Sequence, residues 1–190
     1  MDRIILASQS ARRRQILEWA EIDFEVIAGN TNETYPLDLP IKQVPVYIAR
    51  NKAQSVKKQL KKDFIVLAAD TVVVLGQEII GKPGDRNEAI GILSRLAGQK
   101  HQVITGVVIM KGEKESSFTD TTEVWFHELT AAQIEFYVDK YQPYDKAGAY
   151  AIQEWIGVVG IKSIHGDFYN VMGLPVSRVL MELRKWEINT

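Results

Sequence analysis

Residues 64–75 read FIVLAADTVVVL, apolar throughout except for Asp70 and Thr71. The run is rich in β-branched residues and stops at Gly76-Gln77, a turn signal, so it reads as a buried strand region interrupted by Asp70 and Thr71. It is shorter than the roughly 18 apolar residues of a membrane helix, and no stretch of the chain approaches that length. A buried strand needs partners, and the patterns around it alternate in type. Ile4–Ala7 and Phe24–Ala28 read as strands on either side of a helix from Arg12 to Ala20, with Ser10 as its N-cap. Asn32, Pro36 and Pro40 mark residues 29–42 as a loop. A long helix follows from Val44 to Leu60, with Pro45 in its first turn and Ile48, Ala49, Ala53, Val56 and Leu60 as its apolar stripe. Beyond Glu78–Ile80 come a helix over Asn87–Leu96 capped by Asp85, and strands over Gln102–Met110 and Glu115–Phe126. A helix over Thr130–Lys140, short strands at Tyr150–Ile152 and Val158–Ile164, and a closing helix over Val176–Lys185 complete the order. Strand–helix units mixed with adjacent strands predict an α/β or α+β protein with a mixed sheet.

The chain has 190 residues, 46% hydrophobic and 25% charged, which suits one globular domain over 1–190. A formal net charge of −1 argues against sequence-independent nucleic-acid binding, which requires excess positive charge. The absence of cysteine excludes disulfides, thiol nucleophiles and thiolate zinc sites. His101, His127 and His165 are too scattered for metal-ligand spacing. The opening MDRIILASQSARRR holds too short an apolar run for a secretory signal, so the expected location is cytoplasmic. P-loop, dinucleotide-binding and GxSxG signatures are absent.

Several segments stand above this background. Ser8-Gln9-Ser10-Ala11-Arg12-Arg13-Arg14 follows a strand and opens a helix, where free N–H groups and the helix dipole favour an anion. Arginines there are unfavourable unless an anion joins them; a solvated basic first turn is the plain alternative. Asp70 within an apolar run is costly unless paired, and suits a metal ligand or a general base. Glu33 is a second candidate carboxylate. Lys82, in Gly81-Lys82-Pro83-Gly84, and Lys52, on the long helix, are candidate point charges. Asp145–Gln153 combines small residues with Gln153, whose amide both donates and accepts. Gly166–Pro175 is a polar-aromatic loop running into the last helix.

In chain order, LASQSARRRQIL, Glu33, AADTVVV, GKP, HQVITGV, TEVWF, DKAGAYAIQ and GDFYNVMGLP resemble the Maf family of nucleoside triphosphate pyrophosphatases. The resemblance covers nearly the whole chain. It departs from the family at Ala11, where Pro is usual, and at Glu154, where Gly is frequent. It implies an inosine-triphosphatase-like architecture: a mixed, curved sheet flanked by helices, with two lobes and a central cleft. It implies hydrolysis between the α- and β-phosphates of a nucleoside triphosphate, a homodimer, and a divalent cofactor, Mg²⁺ or Mn²⁺. Carried over residue by residue, Ser8, Arg12, Arg13, Lys52, Thr71, Lys82 and Gln153 would bind substrate, Glu33 and Asp70 would hold the metal, and Asp70 would be the base, the metal ligand or both. Arg12, Thr71 and Gln153 match the dTTP/UTP branch rather than the 7-methyl-GTP-type branch. The family's link to septum formation leaves a second class open, a nucleotide-binding regulator with incidental turnover and an unknown protein partner.

Overall fold

The computed structural model describes residues 3–29 and 31–186. Its strands are β1 (Ile4–Leu6), β2 (Phe24–Val26), β3 (Ile65–Leu75), β4 (Glu78–Ile80), β5 (Lys100–Lys111), β6 (Lys114–Phe126) and β7 (Ile161–His165). They form a seven-stranded sheet in the order β2-β1-β3-β5-β6-β7, with β4 paired to β3. β1 lies parallel to both β2 and β3, whereas β4 and β7 run antiparallel to β3 and β6, so the sheet is mixed, as expected. The helices are α1 (Ala11–Trp19), α2 (Val44–Lys57), α3 (Arg86–Leu96), α4 (Ala131–Tyr141), α5 (Trp155–Gly160), α6 (Phe168–Met172) and α7 (Val176–Arg184). None of the described helices is long and apolar enough to cross a membrane.

The chain divides into two compact units, and β3, β5 and β6 each contribute residues to both. The first comprises the residues up to Asp70, Thr105–Asp120, and the residues from Gly173 onward. Its core joins Ile5, Val66, Ala68, Val108 and Met110 of the sheet, and Ala7 just past β1, to Ala49, Ala53 and Val56 of α2. Small residues along the α2 stripe let the helix lie close to the strands. The approach is closest at Gly106, where a Cβ would lie 2.2 Å from the Val46 backbone nitrogen. β1 leads through α1 to β2 on one side, and β2 leads through α2 to β3 on the other. That reversal beside β1 is a topological switch point, where open α/β sheets bind ligands past the strands' C-terminal ends.

The second unit comprises Thr71–Ile104 and Thr121–Met172. α3 packs on α4, burying Ala89, Ile92, Leu93 and Leu96 of one and Ile134, Tyr137 and Val138 of the other. Asp85 caps α3 as expected, its Oδ1 accepting the Glu88 N–H at 2.9 Å. Thr130 and Gln133 form a capping box at α4. His101, Phe126 and Tyr150 meet edge-to-face, with ring centroids 5.0–5.5 Å apart.

Three expectations need correction. β3 runs unbroken through Asp70 and Thr71, because its backbone pairing is indifferent to side-chain polarity. Tyr150–Ile152 is an irregular segment entering a turn, and Val158–Gly160 is the end of α5, leaving β7 to begin at Ile161. Short apolar runs do not distinguish a strand from one helical turn. The short helix α6 lies within the segment read as a loop.

Candidate active site

The residues after β1 reach α1 through Ala7–Ser10. Ser10 caps α1 as expected, accepting the Arg13 N–H on its Oγ at 3.4 Å. Ser8 is buried, and its Oγ accepts both the Ser10 N–H and an Nη1–H of Arg13, each at 3.2 Å. Arg13 Nε donates to the Gly173 carbonyl at 2.8 Å. The three arginines therefore do not form one exposed cluster: Arg13 is 8% exposed, Arg12 is half-buried and Arg14 is exposed. Successive helical side chains are spaced about 100° apart, so three in a row cannot share a face. Burial pushes the Arg13 guanidinium below its ordinary value; Asp70 and Glu33 oppose that fall, and the neighbouring charge of Arg12 adds to it. The group remains protonated at any ordinary pH.

Asp70 lies midway along β3, parallel to β1 with Leu6 opposite Leu67, so Ser8, two residues past β1, and Asp70, three residues past Leu67, are reached in the same direction along the sheet. Its side chain is 11% exposed, and its charge is balanced by Lys52, whose Nζ donates to Asp70 Oδ1 at 2.6 Å. The same Nζ donates to Glu33 Oε1 at 2.7 Å. Lys52 is carried across by α2, and Glu33 by the 31–40 loop. Within the first unit the fold thus gathers Ser8, Arg13, Glu33, Lys52 and Asp70, distant in sequence, into one charged locus at the switch point. Lys52, with a 15% exposed side chain, is thus not a solvated residue of the helix face.

Two carboxylates converging on one cationic group form a hard-oxygen donor pair, which fits a divalent cation. Among the described residues, no three His, Cys, Asp or Glu side chains gather as a metal-binding set. Glu33 and Asp70 would therefore share such an ion with substrate phosphates and water, the usual arrangement for Mg²⁺.

The family model described as "Maf-like protein" matches residues 3–186. The chain belongs to the Maf family. Its relatives include a Cytophaga hutchinsonii protein, 50% identical over 96% of this chain and 83% of that one, and a Parabacteroides distasonis protein, 46% identical over 96% and 95%. Both are named dTTP/UTP pyrophosphatase. The Staphylococcus aureus Ham1 protein matches with a TM-score of 0.54 at 17% identity, covering 98% of this chain and 100% of that one, which is a likeness of fold.

This Maf chain carries the remaining candidate residues in its second unit. Thr71 is half-buried in β3, and Lys82 is exposed just past β4. Gln153 is exposed in the turn between Ala151 and Glu154. The Gly148 N–H donates to the Gly81 carbonyl at 3.1 Å, tying the two glycine-bearing segments together. Glu154, the departure beside Gln153, accepts the Tyr137 hydroxyl on Oε2 and lies 3.7 Å from Lys146 Nζ on Oε1. The partners of two residues gave no sequence signal. A tyrosine in an amphipathic helix reads as packing, and nothing marks the Gly173 carbonyl as the acceptor for Arg13.

Proposed function

We propose that this Maf protein is a nucleoside triphosphate pyrophosphatase that hydrolyses dTTP and UTP to the monophosphate and pyrophosphate. The observation carrying the reading is the meeting of Asp70 and Glu33 on Lys52, beside Ser8 and Arg13. The names of relatives 46–50% identical over 96% of the chain support the substrate. In this reading a water oxygen attacks the α-phosphorus and the bond to the bridging oxygen breaks. Pyrophosphate leaves with that oxygen, and the water proton passes to the Asp70 carboxylate. Lys52, Arg12 and Lys82 neutralise phosphate charge, while Ser8 and the N–H groups opening α1 add hydrogen bonds. Arg13 holds Ser8 and Gly173 in place and adds its charge. A divalent cation, Mg²⁺ or Mn²⁺, held by Glu33 and Asp70 would screen the phosphates and polarise the α-phosphate oxygens. Thr71 and Gln153 belong to the base site; a Gln can donate to a pyrimidine carbonyl and accept from N3–H. The expected setting is a homodimer in the cytoplasm, with the whole chain acting as one Maf domain.

The test is pyrophosphate release from dTTP, UTP, CTP and 7-methyl-GTP with Mg²⁺. Turnover of dTTP and UTP at about one per second or faster, the usual enzyme range, with weak use of 7-methyl-GTP, is expected. Equal hydrolysis of 7-methyl-GTP would overturn the base assignment, and tight binding without turnover would overturn the enzyme.

A further inference from the structure

Glu154 occupies the position before α5, where a short polar side chain ordinarily caps the helix. It makes no such cap. Its carboxylate turns to the hydroxyl of Tyr137, a residue buried completely in α4. That same hydroxyl accepts the Ala151 N–H at 3.1 Å. Ala151 and Glu154 are the first and last residues of a four-residue turn, closed by the Glu154 N–H on the Ala151 carbonyl at 3.1 Å. One buried hydroxyl therefore grips both corners of the turn, and the exposed residue between them is Gln153.

The surroundings tighten the grip. Lys146, with an 11% exposed side chain, places its ammonium 3.7 Å from Glu154 and 2.7 Å from Asp145. Upstream, Tyr150 Oη lies 2.8 Å from His101 Nε2. On the far side, Gly157 packs so closely on the turn that a Cβ there would lie 1.7 Å from the Ile152 carbonyl oxygen. The Glu154 carboxylate is thus engaged within its own unit rather than offered as a rival acceptor beside Gln153.

We propose that Tyr137 and Glu154 are positioning residues for base selection: they fix the turn from which Gln153 meets the pyrimidine. This rests on the reading of Gln153 as the base-contacting residue. An amide carries both a donor and an acceptor, so a loosely held Gln can adapt to uracil or to cytosine. Discrimination between them needs the approach of the amide to be set in advance, since a site rejects the wrong base by leaving its own fixed polar groups unpaired.

The experiment compares kcat/KM for UTP and CTP in the wild type and in Gln153→Ala, Tyr137→Phe, Glu154→Ala and Glu154→Gln, with thermal unfolding measured alongside. The wild type is expected to prefer UTP and Gln153→Ala to lose most of that preference. Tyr137→Phe and Glu154→Ala should each lower the UTP-to-CTP ratio by about threefold to tenfold, roughly the loss of one hydrogen bond. The change should fall on KM for UTP, with kcat nearly kept. Glu154→Gln still accepts the Tyr137 hydroxyl and should restore most of the ratio. If Tyr137→Phe and Glu154→Ala slow both nucleotides by the same factor while Gln153→Ala loses selectivity, the two residues are merely structural and the proposal is wrong. A wild type without preference, or a Gln153→Ala that keeps it, removes the base reading itself and the proposal with it.

Discussion

Asp70 is mostly buried, and the Lys52 ammonium 2.6 Å away offsets part of the cost of taking its carboxylate out of water. Asp70→Asn is isosteric and leaves Lys52 its Glu33 partner, so the fold should survive. Activity should fall about 10²- to 10⁴-fold, the range for losing a general base; kinetics within threefold of wild type in a protein with an unchanged circular dichroism spectrum would remove Asp70 from the reaction. Arg13 is different, because its guanidinium spans two acceptors, Gly173 O at 2.8 Å and Ser8 Oγ at 3.2 Å. A lysine ammonium is a point donor and cannot span both. Arg13→Lys should therefore lose about 1–2 kcal/mol of stability as well as activity, read as a lower urea midpoint at unchanged slope. An unshifted midpoint would mean that its charge alone matters. The sequence marks Ser8, Arg13 and Asp70 by their residue types, but Lys52 and Glu33 become distinctive only once α2 and the 31–40 loop bring them to one point.

Among the elements, α2 and β5 show how a glycine inside a strand acquires its reason. Gly106 lies where the first turn of α2 crosses the sheet, and a Cβ there would sit 2.2 Å from Val46 N and 2.4 Å from the Pro45 carbonyl carbon. Both are backbone atoms and cannot rotate aside. Gly106→Ala should destabilise the protein by about 2–3 kcal/mol, lowering Tm by roughly 4–12 °C for a chain of this size. Because α2 carries Lys52, the same variant should weaken activity at temperatures where it is still folded. Calorimetry and initial rates check both; an unchanged Tm would show that helix and strand adjust freely. The order of helices and strands is legible from apolar spacing along most of the chain. Two misreadings fell where runs were short, at Tyr150–Ile152 and Val158–Gly160, since three apolar residues have no period to read; the others, the supposed break at Asp70 and the missed α6, came from reading polar side chains as interruptions of backbone structure.

For the whole molecule, His101 links stability to pH. It is 1% exposed between Phe126 and Tyr150, and burial lowers its pKa from 6.5 to about 4. Between those values the unfolded chain binds a proton that the folded chain does not, so stability falls as pH drops from 6.5 towards 4 and loses nothing more through this group below that. The loss over that window is of the order of 3 kcal/mol, and His101→Phe should flatten it in urea titrations run at successive pH values. An equally steep wild-type and variant profile above pH 4.5 would assign the acid limb to other groups. Composition, apolar periodicity and turn residues determined a mixed α/β chain with caps at Ser10 and Asp85, because these depend on a few neighbours along the backbone. Tertiary structure alone decided that Lys52 bridges Glu33 and Asp70, that Arg13 folds back on Gly173, and that Glu154 answers to Tyr137. Each of those contacts joins residues separated by 17 or more positions. A charged side chain's partner is set by which backbone segments the sheet and helices bring within about 3 Å, and no local pattern in the sequence encodes that distance.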